Sequence, residues 1–146
     1  MSAAQNRDLI LRFYELMSKR EFEKMFDLMS DDSTWTVAGR PETFWPAGTQ
    51  TKSQRAEMFG QFAKVFAEMP LDVLSTTAEE DRVVLEARTR STTHSGIVYE
   101  NEFLILFRCG NNKIVSIYEH CDQQAVLEFT RAVSNSESAA QMPRES

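Results

Sequence analysis

Cysteine is scarce in this chain. There are two, Cys109 and Cys121, and their spacing fits no metal-ligand pattern, which excludes a cysteine-built zinc site. No apolar run reaches the ~18 residues of a membrane helix, and nothing resembles a secretion signal. The setting expected from these absences is a reducing cytoplasm with free thiols. Positive charge is not in excess: 16 Lys and Arg stand against 22 Asp and Glu, a net charge of −6. That balance argues against nucleic acids and anionic membranes as partners, since both favour basic surfaces. There is no phosphate loop, dinucleotide fingerprint or His-Glu zinc motif, so no cofactor and no metal is expected. Internal repeats and a second domain are missing too.

What remains is an ordinary globular composition, 42% hydrophobic and 26% charged over 146 residues, enough for one domain with a real core. Helical spacing of Leu9, Ile10, Phe13 and Met17 marks a first helix over 3–18, with Ser2 as its N-cap. Phe22, Met25, Phe26 and Met29 form the stripe of a second, stopped by the run Ser30–Ser33. Residues 34–38 alternate as a short strand, and 39–51 read as a loop carrying Phe44, Trp45 and Pro46. A third helix from about Ser53 carries Phe59, Phe62, Phe66 and Met69 and ends at Pro70.

From there the period becomes two. Residues 71–77, 82–93, 97–109 and 113–122 predict four long strands joined by short turns, followed by a last helix over 123–132. Segregated elements of this kind predict an α+β fold with helices on one side of a strongly twisted sheet. The domain is expected to span 1–132. The Ser-, Glu- and Gln-rich tail 133–146 has no apolar period and is expected to be disordered.

The last hairpin, YENEFLILFRCGNNKIVSIYEHCD (99–122), holds acids within an apolar alternation. A two-residue turn at Asn111-Asn112 would set Leu104 opposite Glu119 and Glu102 opposite Cys121. A turn at Ser95-Gly96 would set Leu85, Ala87 and Thr89 opposite Leu106, Leu104 and Glu102. One face then carries Val83, Leu85, Ala87, Leu104, Leu106, Val115 and Ile117, interrupted by Glu102 and Glu119. The other carries Arg88, Arg90, Tyr99, Asn101, Phe103, Ile105, Tyr118, His120 and Asp122. A one-residue slip in either turn exchanges the faces.

On this register Glu119 lies over the helix layer, and Glu102 nearer the sheet's end. Both are candidates to line a cavity with Trp35, Phe13 and Tyr14, beside Phe59, Phe62, Leu104 and Ile117. Two readings stand for each. Glu119 is either a carboxylate satisfied by a neighbouring arginine or backbone, or an acid whose pKa burial has raised for proton transfer. Glu102 is a wall of the cavity or a solvated strand end. Phe13 and Trp35 are cavity walls or plain core. His120 and Asp122 look like a catalytic pair, yet they sit two apart on one strand, where a surface or interface role competes. Trp45 either caps the cavity mouth or covers the open end of the fold.

Tyr99-Glu100-Asn101, Phe107 to Gly110, Lys113-Ile114 and Tyr118-Glu119-His120-Cys121-Asp122 resemble the SnoaL-like polyketide cyclases. These belong to the superfamily of nuclear transport factor two, ketosteroid isomerase and limonene epoxide hydrolase. Arg12-Phe13-Tyr14, Phe22 to Met29 and Ser30-Asp31-Asp32 resemble that superfamily's first two helices, so the likeness covers about 4–130.

The resemblance implies a cone-shaped α+β roll, with three N-terminal helices packed on a strongly curved, mixed, mostly antiparallel sheet. It does not settle the reaction. Where the isomerases carry a helix tyrosine and two acids, this chain has Phe13 with Tyr14 adjacent, Val37 and Leu104. Where the epoxide hydrolases carry an Asp-Arg-Asp set, it has Glu119 but Ala87 and Thr89. The cyclases' late-strand aspartate corresponds best to Asp122 or Glu119.

The function so implied is a cofactor-free acid/base enzyme of isomerase, cyclase or dehydratase type, acting on a small hydrophobic carbonyl compound. The alternative is a non-catalytic ligand-binding or dimerisation module, a homodimer formed through the outer sheet face. Cargo binding in the manner of nuclear transport follows from kinship alone.

Overall fold

The computed structural model describes residues 1–141. Element order is α1 (Ala3–Ser18), α2 (Phe22–Asp27), β1 (Met29–Val37), β2 (Gly48–Thr51), α3 (Lys52–Val65), β3 (Phe66–Glu68), β4 (Asp72–Glu79), β5 (Arg82–Thr93), β6 (Val98–Gly110), β7 (Lys113–Cys121) and α4 (Gln123–Gln141). The strands form one sheet in the order β2-β1-β7-β6-β5-β3, with β4 also paired to β5. Only β1 and β7 run parallel; every other pair is antiparallel. The result is a curved, unclosed α+β roll, mixed but mostly antiparallel.

Local chemistry sets the helix starts. Ser2 and Thr51 each accept from the backbone N–H three residues on, while Gln5 and Gln54 return bonds to the cap residues' own N–H groups. These are two complete capping boxes, which satisfy donors a helix otherwise leaves orphaned. Along α1, Ile10, Phe13, Tyr14 and Met17 fall on one stripe and are buried. They meet Val83, Leu85, Ala87, Ile105, Phe107, Ile114 and Ile117 from the sheet in one continuous core.

Several boundaries differ from the sequence reading. Strand β1 starts at Met29, so the acidic run 30–33 lies in a strand, with Asp31 and Asp32 pointing to solvent. Residues 48–51 pair with β1 rather than forming loop. The third helix ends at Val65, because Phe66–Glu68 pairs with the end of β5. Arg20 supports that switch: its guanidinium donates to the carbonyls of Ala63 (2.9 Å), Phe66 (2.7 Å) and Ala67 (2.8 Å). These acceptors lie at the end of α3 and the start of β3, where the helix leaves its last carbonyls free. Helix α4 continues to Gln141, nine residues beyond the expected end at Ala132, since Ala, Glu and Gln favour a helix and Ser opposes it only weakly. The rest of the expected disordered tail, 142–146, lies outside the described residues.

The hairpin registers also differ, in an instructive way. The Asn111-Asn112 turn is as expected, both residues at positive φ (51° and 63°) as a two-residue type I′ turn requires. Past it, Cys109 pairs with Ile114 but Arg108 with Ser116, so Val115 is an extra residue in a β-bulge. The β5–β6 turn has three residues, His94 to Gly96, closed by Thr93 N–H donating to the Ile97 carbonyl (2.9 Å), with Gly96 at φ +92°. Each device shifts the register by one. Glu119 therefore opposes Ile105, not Leu104, and Cys121 opposes Phe103. Leu85, Ala87 and Thr89 oppose Ile105, Phe103 and Asn101. The two shifts cancel for β7 against β5 but not for β6. Asn101, Phe103, Ile105 and Phe107 face the helices, whereas Glu102, Leu104 and Leu106 face outward, Leu104 being 55% exposed.

Candidate functional site

Glu119 sits near the middle of the concave sheet face, between Val37 on β1 and Ile105 on β6. Both neighbours are buried aliphatic side chains. The carboxyl is partly buried, and its open side faces a cavity. Burial pushes its pKa up from the ordinary carboxylate value; the positive charge of Arg55 and the Trp35 indole N–H oppose that rise. No arginine or lysine nitrogen of a described residue comes within 4 Å of it. Arg90 pairs with Glu100 on the outer face (2.9 Å).

Two helices complete the floor. Tyr14 from α1 is fully enclosed, its ring edge-on to Phe13 (5.2 Å) and Phe107 (5.8 Å), and its hydroxyl has no hydrogen-bond partner. Burial, reinforced by the Glu119 charge, raises its pKa well above the usual phenol value, so it stays a proton donor. Arg55 from α3 lies with its guanidinium carbon 4.2 Å from the Trp35 ring centre and 5.6 Å from that of Phe59. Trp35 Nε1 is likewise buried and closes no hydrogen bond of standard geometry, although it acts on the Glu119 carboxyl.

The cavity between sheet and helices has a volume of about 360 Å³, within the range of small-molecule sites. Its walls are mostly apolar: Met17, Phe59, Phe62, Phe66, Phe103 and Leu71 contribute alongside the floor. The mouth is framed by the loop carrying Trp45 and by α4. Trp45 Nε1 donates to Thr130 Oγ1 (3.2 Å), and Phe129 stacks on Phe66 at 5.4 Å and tilts against Tyr99 at 4.8 Å. Asn101 ties the sheet end beneath: it donates to Tyr99 OH (2.7 Å) and to the Asp122 carbonyl, and accepts from Asp122 N–H.

Of the residues singled out from sequence, Glu119, Tyr14, Trp35, Trp45, Phe59 and Phe62 are brought together on this cavity. Phe13 and Ile117 are buried behind it as core. Glu102 and Leu104 stand on the outer face, for the register reason given above. His120 is on that face too, its ring 5.1 Å from Tyr118. Asp122 is exposed past the end of β7, where Oδ1 accepts from Ala125 N–H and caps α4. Neither lies beside Glu119.

The sequence reading passed over Arg55, Tyr99, Cys121 and Phe129. Arg55 was detectable, because it lies four and seven residues before Phe59 and Phe62 on the same helix stripe. Cys121 lines the cavity with its thiol pKa pushed up to about 11 by burial and the Glu119 charge, which leaves it a poor nucleophile. Among the described residues no three His, Cys, Asp or Glu side chains gather as metal ligands, and no helix is long and apolar enough to cross a membrane.

The curved, unclosed α+β roll fits the nuclear transport factor two-like superfamily. The SnoaL-like domain profile matches residues 10–117, and the chain belongs to that family. Among solved structures it is similar to PrhC from Penicillium brasilianum, with TM-score 0.84 and 14% identity over 95% of this chain and 94% of that one. The pinacolase BvnE from Penicillium brevicompactum follows, with TM-score 0.79 and 15% identity over 92% and 97%. An NTF2-like protein of unknown function from Burkholderia pseudomallei gives 0.75 and 20% over 88% and 98%. At these identities the likeness is one of fold. No curated protein matches the sequence significantly.

Proposed function

We propose that the protein is an acid/base enzyme that needs no cofactor and moves a proton next to a carbonyl group of a small hydrophobic compound, in an isomerisation, cyclisation or dehydration. The observation that carries this reading is the Glu119 carboxyl itself. It opens on an apolar cavity, lacks an ion-pair partner, and has a raised pKa. A carboxyl tuned upward is suited to take and return a proton near neutral pH, a step worth roughly 10²–10⁴ in rate. Tyr14, an unpartnered donor on the same floor, is placed to stabilise the oxygen on which charge develops. A fold neighbour with pinacolase activity, BvnE, is in keeping with carbonyl chemistry in such a cavity.

The test is exchange of α-hydrogens for deuterium, followed by NMR on a panel of apolar ketones that includes 1-tetralone. Wild-type protein should accelerate exchange for at least one member, and Glu119→Gln should remove the acceleration while keeping the fold. Equal exchange in the Gln variant would refute the assignment.

A specific surface supports assembly as a homodimer. Val84, Leu106 and Tyr118 adjoin one another through the register pairs Val84–Leu106 and Leu106–Tyr118 on the outer sheet face, with Leu104 two residues along β6 between Glu86 and His120, and Val84, Leu104 and Tyr118 are well exposed. A contiguous apolar face of this kind is covered most simply by a second copy of itself. The membership differs from the sequence reading, since Tyr99, Phe103 and Ile105 point inward. Both cysteines are unpaired, which is in keeping with the reducing cytoplasm we propose as its setting.

A further inference from the structure

The cavity floor holds a buried cation that acid/base chemistry at Glu119 does not require. Arg55 is 7% exposed. Its Nη1 donates to Gln50 Oε1 (3.1 Å) and touches Met58 Sδ (3.3 Å). Nε has no partner, no bond from a described residue closes on Nη2, and no described carboxylate lies within ion-pair distance. A guanidinium taken out of water is costly, and the Glu119 charge, which lies beyond ion-pair distance, together with the Trp35 and Phe59 rings offsets only part of that. The buried groups around it add to the imbalance. Tyr14 OH and Trp35 Nε1 are both donors, both buried and both without a partner of standard geometry. Unpaired donors on Arg55 and Tyr14 therefore meet, with the Trp35 N–H already directed at Glu119, where among the described residues that carboxyl is the sole acid lining the cavity. Buried donors are rarely left unmade in a folded protein, and such a surplus is removed by a ligand that brings acceptor oxygens.

We propose that Arg55, with the Tyr14 hydroxyl beside it, anchors a carboxylate at the head of an otherwise apolar ligand. The natural ligand is then an acidic amphiphile and not a neutral hydrocarbon-like ketone, its tail lying against Phe59, Phe62, Phe66 and Phe103. Planar guanidinium suits this role, because its paired N–H groups match the two oxygens of a carboxylate. The inference rests on the cavity's being a small-molecule site, but not on Glu119 performing chemistry.

Titration calorimetry with three probes of matched chain length tests it on the wild-type protein: decanoate, 2-undecanone and n-decylammonium. Decanoate should bind at least tenfold tighter than the ketone, and the ammonium ion weakest. In Arg55→Gln the decanoate advantage over the ketone should fall to about twofold, while Arg55→Lys should keep the order. Equal affinities for decanoate and ketone in the wild type, or tightest binding of the ammonium ion, would overturn the proposal even if the Gln variant did not fold. An advantage that survives in Arg55→Gln would overturn it as well. Failure of deuterium exchange with decanoate still preferred would strike only the catalytic reading, whereas no binding of any probe would strike the cavity and this proposal together.

Discussion

Replacing Glu119 by Gln should stabilise the protein, by an amount that depends on pH in a defined direction. The folded-state pKa of Glu119 lies above the unfolded value of 4.5. Between those two pH values the folded chain holds a proton that the unfolded chain has released. The stability that the proton contributes is fully present below about pH 4.5 and is lost as pH rises through the folded pKa. Gln has no such dependence, so the stability difference between variant and wild type grows across that window and then levels off. On the plateau the wild type keeps an ionised, partly buried carboxylate between Val37 and Ile105, compensated only by the more distant Arg55 charge and the Trp35 N–H. Placing a polar group in surroundings that compensate it incompletely costs about 1–3 kcal/mol. For a chain of this length that corresponds to a Tm gain of roughly 3–9 °C at pH 8 and none at pH 4.5. Thermal melts of both proteins by circular dichroism, in steps from pH 4.5 to 8, give the difference curve. A flat curve, or a Gln variant less stable at pH 8, would show an ionised and well-satisfied Glu119 and would refute the argument for a tuned acid.

Phe59 is the hub of the aromatic cluster, within 5.5–5.6 Å of the Phe22, Phe26, Trp35 and Phe62 ring centres. Phe59→Ala should therefore cost about 3–5 kcal/mol in urea unfolding, and a loss below 1 kcal/mol would mean that the cluster relaxes into the cavity. Leu104→Asp should convert a dimer to a monomer in sedimentation at micromolar concentration. Because Leu104 lies outside the core, monomer stability should change by no more than about 0.5 kcal/mol. A dimer that survives the substitution would exclude the outer sheet as its interface.

Periodicity made the elements legible. Ile10, Phe13 and Met17 announced α1, and the alternation after Pro70 announced four strands whose observed ends fall within about three residues of expectation. Glu119 was identified as an inward acid, and it is one. The faces of β6 were not legible, since a bulge at Val115 and an additional turn residue at His94 carry no signal in apolar pattern alone. Helix α3 was read too long because Phe66 and Met69 continue its apolar spacing, while the pairing of Phe66 with Thr93 is a tertiary contact that no local pattern encodes. Arg55 escaped for a related reason: a charged residue on an apolar stripe reads as a boundary until the ring beneath it is seen.

The bulge at Val115 has a meaning for how this cavity acquires new chemistry. A strand assigns each side chain to inside or outside by a single binary choice, and the extra residue is where that choice is reset for Ile117, Glu119 and Cys121 together. Losing one paired residue just past it, such as Ser116, with the bulge kept, would turn Tyr118 and His120 inward and give Glu119 to solvent, exchanging an acid for a phenol and an imidazole in one event. No point substitution achieves that. Among proteins built this way, reaction type can diverge through one-residue changes of length as readily as through changes of residue type. An alignment drawn across this hairpin without a gap would then assign the cavity acid to the wrong column.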